Sequence, residues 1–160
     1  NRKNLMPNAL HIEKIEDPSR IEETMRHPAI YPHISDDRAW DVPSLKEAME
    51  AEAIFGLGVM DGEEQVGVFL LARHEGIVSL HTMLLPQCRG KRGREACDRM
   101  REWILDNTYI ETLFTHYYSN RPHVGAFART YGFREDGHVE DVTIRGEPAR
   151  FVRMVQHLTR

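Results

Sequence analysis

What the chain has little of narrows the field first. Two cysteines in 160 residues, Cys88 and Cys97, are too few for a disulfide framework, and they form no C-x-x-C pair. Reduced thiols in a cytoplasmic protein are therefore expected. The longest apolar run, Val66 to Ala72, falls far short of the roughly 20 residues a membrane helix needs. The opening residues, which begin at Asn1, lack the apolar stretch of a secretory signal. Nine histidines are present, yet none sits in H-E-x-x-H or in a Cys/His pattern with zinc spacing, so no metal site is expected. Neither G-x-x-x-x-G-K-[ST] nor G-x-G-x-x-G occurs, which disfavours a P-loop NTPase and a Rossmann dehydrogenase. There is no internal repeat, low-complexity tract or linker.

What is present suits one globular domain over residues 1–160. The chain is 41% hydrophobic and 29% charged, enough for a real core under a polar surface. The net charge of −4 is unevenly spread: residues 1–64 sum to −7 and residues 65–160 to +3. An acidic front and a basic back suggest two ligands or faces, with ordinary surface scatter as the alternative.

Period and punctuation order the elements. Residues 9–16 alternate as a strand, and Asp17, Pro18 and Ser19 open a helix over 18–27. The segment 27–41 reads as irregular or as one short turn, and a helix over 43–52 follows. Strands at 53–60, 65–73 and 77–85 form an antiparallel meander, with Asp61-Gly62 as a hairpin signal. A loop at 87–93 leads into a helix over 92–106, whose Ala96, Met100, Trp103 and Ile104 make one apolar stripe. A strand at 110–117 should run parallel to strand 77–85, because a helix connects them. A helix at 121–131, ending at Gly132, and strands at 137–145 and 149–157 complete the chain.

The most informative stretch is residues 84–96, LLPQCRGKRGREA. It reads as a strand, a Gly- and Arg-rich loop and a helix start. Backbone N–H groups at a helix start lack partners and carry partial positive charge. Arg89, Gly90, Lys91, Arg92, Gly93 and Arg94 would let a pyrophosphate approach these amides and add charge to them. A solvated basic helix start, paired locally with Glu95, Asp98 and Glu102, is the plain alternative.

Pro86-x-x-Arg89-Gly90-Lys91, following an apolar strand and entering an amphipathic helix, resembles the acetyl-CoA loop of the GNAT N-acetyltransferase superfamily. Of that family's [QR]-x-x-G-x-[GA] pattern, Gln87 and Gly90 match. Arg92 stands where a small residue is usual, with Gly93 next to it. Residues 120–133 are similar to the family's Asn–helix–Gly-Phe signature, with Asn120 on the Asn and Gly132-Phe133 on the Gly-Phe, one residue longer than usual. The Tyr often found four residues before that Gly is Ala128 here. Element order agrees over about residues 9–157, and the His-Pro-rich segment and RGKRGREA look more like GNAT proteins found in phage genomes than like ribosomal-protein acetylators.

The resemblance implies an α+β fold with a mixed, mostly antiparallel sheet, splayed between strands 4 and 5 and flanked by about four helices. It also implies an acetyl-CoA-dependent N-acetyltransferase acting by direct attack of an amine. The pantetheine arm would pair near Met83 and Leu84, with a backbone N–H near Leu84 stabilising the oxyanion. His81 is the first candidate for the base, since an imidazole suits that task; sheet packing or solvent exposure is the alternative, and His116 and Glu75 are weaker candidates. Tyr131, one turn beyond Ala128, is the candidate acid or a packing residue, with Tyr117, Tyr118 and Ser119 also in reach. Cys88 reads as a bystander. The expected acceptor is a small-molecule or peptide amine, drawn to an acidic side carrying Glu22, Glu23, Asp36, Asp37 and Asp41. A homodimer is compatible with this reading. A GNAT-fold module that binds acyl-CoA without turnover is the rival. Nucleic-acid binding through the six basic residues between Arg89 and Arg101 is disfavoured by the negative net charge.

Overall fold

The structure, a computed structural model, describes residues 9–34 and 42–159. In chain order the elements are β1 (Leu10–Ile15), α1 (Pro18–Met25), α2 (Tyr31–Ile34), α3 (Val42–Glu50), β2 (Ile54–Asp61), β3 (Glu64–His74), β4 (Ile77–Leu84), a 3-10 turn (Pro86–Cys88), α4 (Lys91–Asn107), β5 (Thr112–Tyr118), α5 (Pro122–Thr130), β6 (Arg134–Ile144) and β7 (Glu147–His157). The expected α+β class holds, with four helices of two turns or more and one short turn, α2, among the described residues.

Seven strands form one sheet in the order β1-β2-β3-β4-β5-β7-β6. Among the described residues β4 and β5 are the one neighbouring pair that runs parallel, and α4 makes the crossover between them. The β3–β4 and β6–β7 hairpins close through two residues each, Glu75-Gly76 and Arg145-Gly146, all at positive φ. That geometry matches the natural twist of the strands it joins.

Alternation along the strands divides the core into two. On one face Leu57, Phe69, Leu71, Leu80, Leu113 and Met154 meet Ala96, Met100 and Ile104 of α4. On the other, Val68, Leu70 and Met83 meet Ile21 of α1 and Leu45 of α3. Each large side chain wholly removed from water contributes about 1.5–3 kcal/mol. The α4 stripe appears as expected, except that Trp103 stays partly exposed and leans on Phe55, with ring centroids 6.3 Å apart.

The far edge is different in kind. No residue of β6 is fully buried, so this strand is held by its ladder to β7 rather than by a core. Its charged side chains and a bulge between Glu135 and Val139 blunt an edge that would otherwise offer free backbone groups. The loop expected at 87–93 is shorter than expected. The 3-10 turn takes its start, and α4 already begins at Lys91.

α5 seats on β5 at Gly125, where a Cβ would come within 2.7 Å of two Tyr117 ring carbons. Gly125→Val should therefore lower stability by about 1–3 kcal/mol through overpacking. Urea unfolding of the double variant with Tyr117→Ala should show a loss smaller than the two single losses combined. Strict additivity would mean that this contact does not seat the helix.

Candidate active site

The site begins where β4 and β5 stop pairing. Their ladder contains one bridge, Ser79 with Phe114. One residue further on, the Thr115 hydroxyl donates to the Leu80 carbonyl at 3.0 Å. That carbonyl would otherwise have served the next rung, so a side chain takes the place of the ladder and the strands diverge beyond it. Backbone direction in β4 follows from its other neighbour. Leu85 N donates to Val66 O at 3.0 Å, so the odd-numbered residues of β4 face β3 and the even-numbered ones face β5. Thr82 and Leu84 thus turn their backbone groups toward the opening. Met83 turns its own toward β3 and buries its side chain against the α1–α3 layer.

At the C-terminal end of the opening, the chain makes the 3-10 turn and enters α4. Gly90 is the N-cap, with φ 63° and ψ −126°. This left-handed conformation strains any residue with a Cβ. No side chain caps α4, and its first turn carries no acidic residue. A Cβ at Gly90 would meet nothing within 4 Å, so the approach to the first amides is open. Gln87, Arg89, Lys91 and Arg94 are exposed around this start. The donor set fits a diphosphate: the first amides of α4, an axial dipole and exposed cations in one place.

Arg92 points elsewhere. Its guanidinium pairs with Asp61 at 3.0 Å and Glu95 at 3.2 Å, and Glu95 also accepts from Leu10 N at 2.9 Å. The bulk that stands where a small residue is usual is thereby drawn to the β1–β2 side. Gly93 faces inward, and a side chain there would collide with the Tyr131 hydroxyl. Tyr131 is 7% exposed, ends α5 and packs against Phe127, with ring centroids 4.6 Å apart. Burial, foremost, pushes its phenol up to about 12.

On the α1–α3 side of the sheet, His81 of β4 and His116 of β5 face one another across the opening, with ring centroids 5.9 Å apart. His116 stacks on Phe151 of β7, and Tyr118 packs edge-on against His116 at 5.2 Å. Two arginines reach from the strand ends to the segment after α1. Arg89 donates to Leu84 O at 3.3 Å and Ala29 O at 3.5 Å, and Arg121 donates to Pro32 O at 3.4 Å.

The remaining expected residues scatter. Asn120 is exposed in the turn between β5 and α5. Ser119 continues the β5–β7 pairing through two bonds to Arg150. Tyr117 lies on the α5 side and donates to Glu135 at 2.7 Å, a bond that holds its phenol above the ordinary range. Glu75 sits in the β3–β4 turn, at the other end of β4. Glu22 pairs with Arg26 at 2.6 Å, whereas Asp36, Asp37 and Asp41 lie outside the described residues. Phe151 and the β6 side chains were missed because they join the site only through the β5–β7–β6 order, and Thr115 because its bond to Leu80 O depends on the β4–β5 register.

The model of a family described as a protein of unknown function, DUF2824, matches residues 46–157. The chain belongs to this family. No curated protein matches it. Among solved structures, the DUF2824 chain is similar to spermidine N-acetyltransferase from Vibrio cholerae in complex with CoA and spermine. That match has 18% identity and a TM-score of 0.72, and it covers 94% of this chain and 96% of the other. It is also similar to AAC(6')-Ib in complex with paromomycin and acetyl-CoA, at 15% identity and a TM-score of 0.67, covering 94% of each chain. These likenesses establish the GNAT fold for the DUF2824 chain.

Both thiols of the DUF2824 chain are buried. Burial, the leading cause in each case, raises Cys88 to about 11 and Cys97 to about 12. The native state therefore holds both protons more tightly than the unfolded chain, whose thiols titrate near about 8.5. The resulting stability is fully present below that value and is lost as pH rises toward the native values. A disulfide reagent at pH 8 should label neither cysteine until the protein is unfolded. The urea midpoint should fall from about pH 9 upward. Rapid labelling of either thiol in the native protein would contradict this account.

Proposed function

We propose that this protein is an acetyl-CoA-dependent N-acetyltransferase that moves an acetyl group to a primary amine within a ternary complex. One observation carries the reading: a parted β4–β5 pair opens directly beside an uncapped, cation-flanked helix start. Likeness to solved amine acetyltransferases supports it at the level of fold. The proposal treats residues 1–160 as one catalytic domain.

Acetyl-CoA supplies the activated acyl group when bound. The chain's own groups then divide the work. The α4 amides from Lys91 to Gly93, with Lys91, Arg94 and Arg89, hold the diphosphate. Gln87 and Asn120 flank the cofactor at either side of the opening. Thr82 and Leu84 offer backbone groups to the pantetheine arm, as an added strand would be paired. The Leu84 N–H donates to the acyl oxygen, a preorganised donor where negative charge develops.

His81 takes the proton of the incoming ammonium, and His116 across the opening orients it. Tyr131 is placed under α4's first turn and serves packing. Tyr118, beside His116, is the nearer hydroxyl for the leaving thiolate.

Calorimetry with acetyl-CoA, followed by a thiol-release assay over a panel of primary amines, tests the reading. His81→Ala should leave the binding heat unchanged and lower kcat about a hundredfold or more. Absence of any heat with millimolar CoA would overturn the proposal. Heat without thiol release would favour the second reading, an acyl-CoA-binding module, which the replacement of the usual Tyr by Ala128 and the burial of Tyr131 support.

A further inference from the structure

The half of the sheet beyond the opening carries a feature that acetyl transfer alone does not require. On the face that holds His81, a row of rings crosses the strands. His81 on β4 meets His116 on β5, and His116 stacks on Phe151 of β7 with centroids 4.6 Å apart and planes 24° apart. Phe151 in turn meets His138 of β6 at 6.2 Å. The row ends in a carboxylate, because His138 Nε2 lies 3.4 Å from Glu140 Oε2. Register confirms the placement, since Glu140 pairs with Phe151 and Phe151 with Tyr118.

These groups are accessible. His116, Tyr118 and Phe151 are half-buried, and His138 and Glu140 are exposed. A ring face attracts a cation through its quadrupole, and a carboxylate at the end of the row attracts one directly. Among the described residues, Arg153 on this face is already matched: it lies over Phe114 at 4.8 Å and donates to Asp136 at 2.7 Å. The row therefore offers a path of one charge preference that begins at the opening and ends at β6.

We propose that this row is the acceptor's binding surface and that Glu140 holds a second positive charge of the acceptor. β6 stands two strand spacings beyond β5 and three beyond β4, so the distal charge lies about 10–15 Å from an amine held in the opening between them. The preferred acceptor class is then an elongated dication rather than a monoamine or a compact diamine. The inference rests on the acetyltransferase reading for the position of the reacting amine.

The test is calorimetry on the full chain with CoA present, using the α,ω-diaminoalkanes from diaminopropane to diaminodecane and the n-alkyl monoamines of matching length. Long diamines should bind about three- to tenfold more tightly than matching monoamines, with short diamines near the monoamine level. Glu140→Gln, at an exposed position, should remove that difference while monoamine affinity and the CoA heat stay unchanged. In the transfer assay, the same variant should raise KM for long diamines by a similar factor and leave kcat within about twofold, a split that a folding defect would not produce. Equal affinity for diamines and monoamines, no diamine binding, or a preference that survives Glu140→Gln would overturn the inference. CoA heat without diamine preference overturns this inference alone. Diamine preference without CoA heat overturns the acetyltransferase reading and leaves the cation surface standing.

Discussion

A single hydroxyl governs the geometry around which the rest of the structure is arranged. Thr115 takes the Leu80 carbonyl, and beyond that point β4 and β5 no longer share a ladder. Buried or half-buried backbone groups without partners are costly. The opened strands therefore turn the Thr82 backbone groups and the Leu84 N–H toward the gap, the Leu84 carbonyl being taken by Arg89, and a linear amide-bearing chain is a chemically suited partner. The parting is tolerated because each strand is secured on its outer side, β4 by eight paired positions with β3 and β5 by seven with β7.

The two faces of the sheet give the opening two different entrances. On the α4 side the groups are cationic and the helix axis adds its own partial charge, which suits a diphosphate. On the opposite side the groups are rings and a carboxylate, which suits an ammonium. The uneven charge of the chain expresses this division only in part. Arg92, the most conspicuous excess cation of the loop, is spent on Asp61 and Glu95, and the acid that closes the ring row lies in the basic half of the sequence.

Buried contacts explain several residues that would otherwise invite a chemical role. Tyr131, one turn beyond the Ala128 that replaces the usual Tyr, invites the role of catalytic acid, yet its hydroxyl lies against Gly93 and its ring against Phe127. Cys88 stands just before the start of α4, beside basic neighbours, a setting that usually lowers a thiol pKa. Burial outweighs that attraction here and leaves a protonated side chain. In both residues desolvation acts against the charged form more strongly than nearby arginines act for it.

Local signals determined much of this protein. The alternation of β1 to β4, the α4 stripe, the turn dipeptides and the glycine at the start of α4 were legible because each depends on neighbours within a few residues. The parallel β4–β5 pair was legible because one helix between two strands leaves few other connections. The placement of β7 between β5 and β6 was not, and with it went Phe151, His138 and Glu140. The same holds for the backbone sense of Met83 against Leu84, for the diversion of Arg92 and for the burial of Tyr131. Those features depend on which strand lies beside which and on what fills the space between layers. Such contacts join residues far apart in the chain, so only the assembled sheet could decide them.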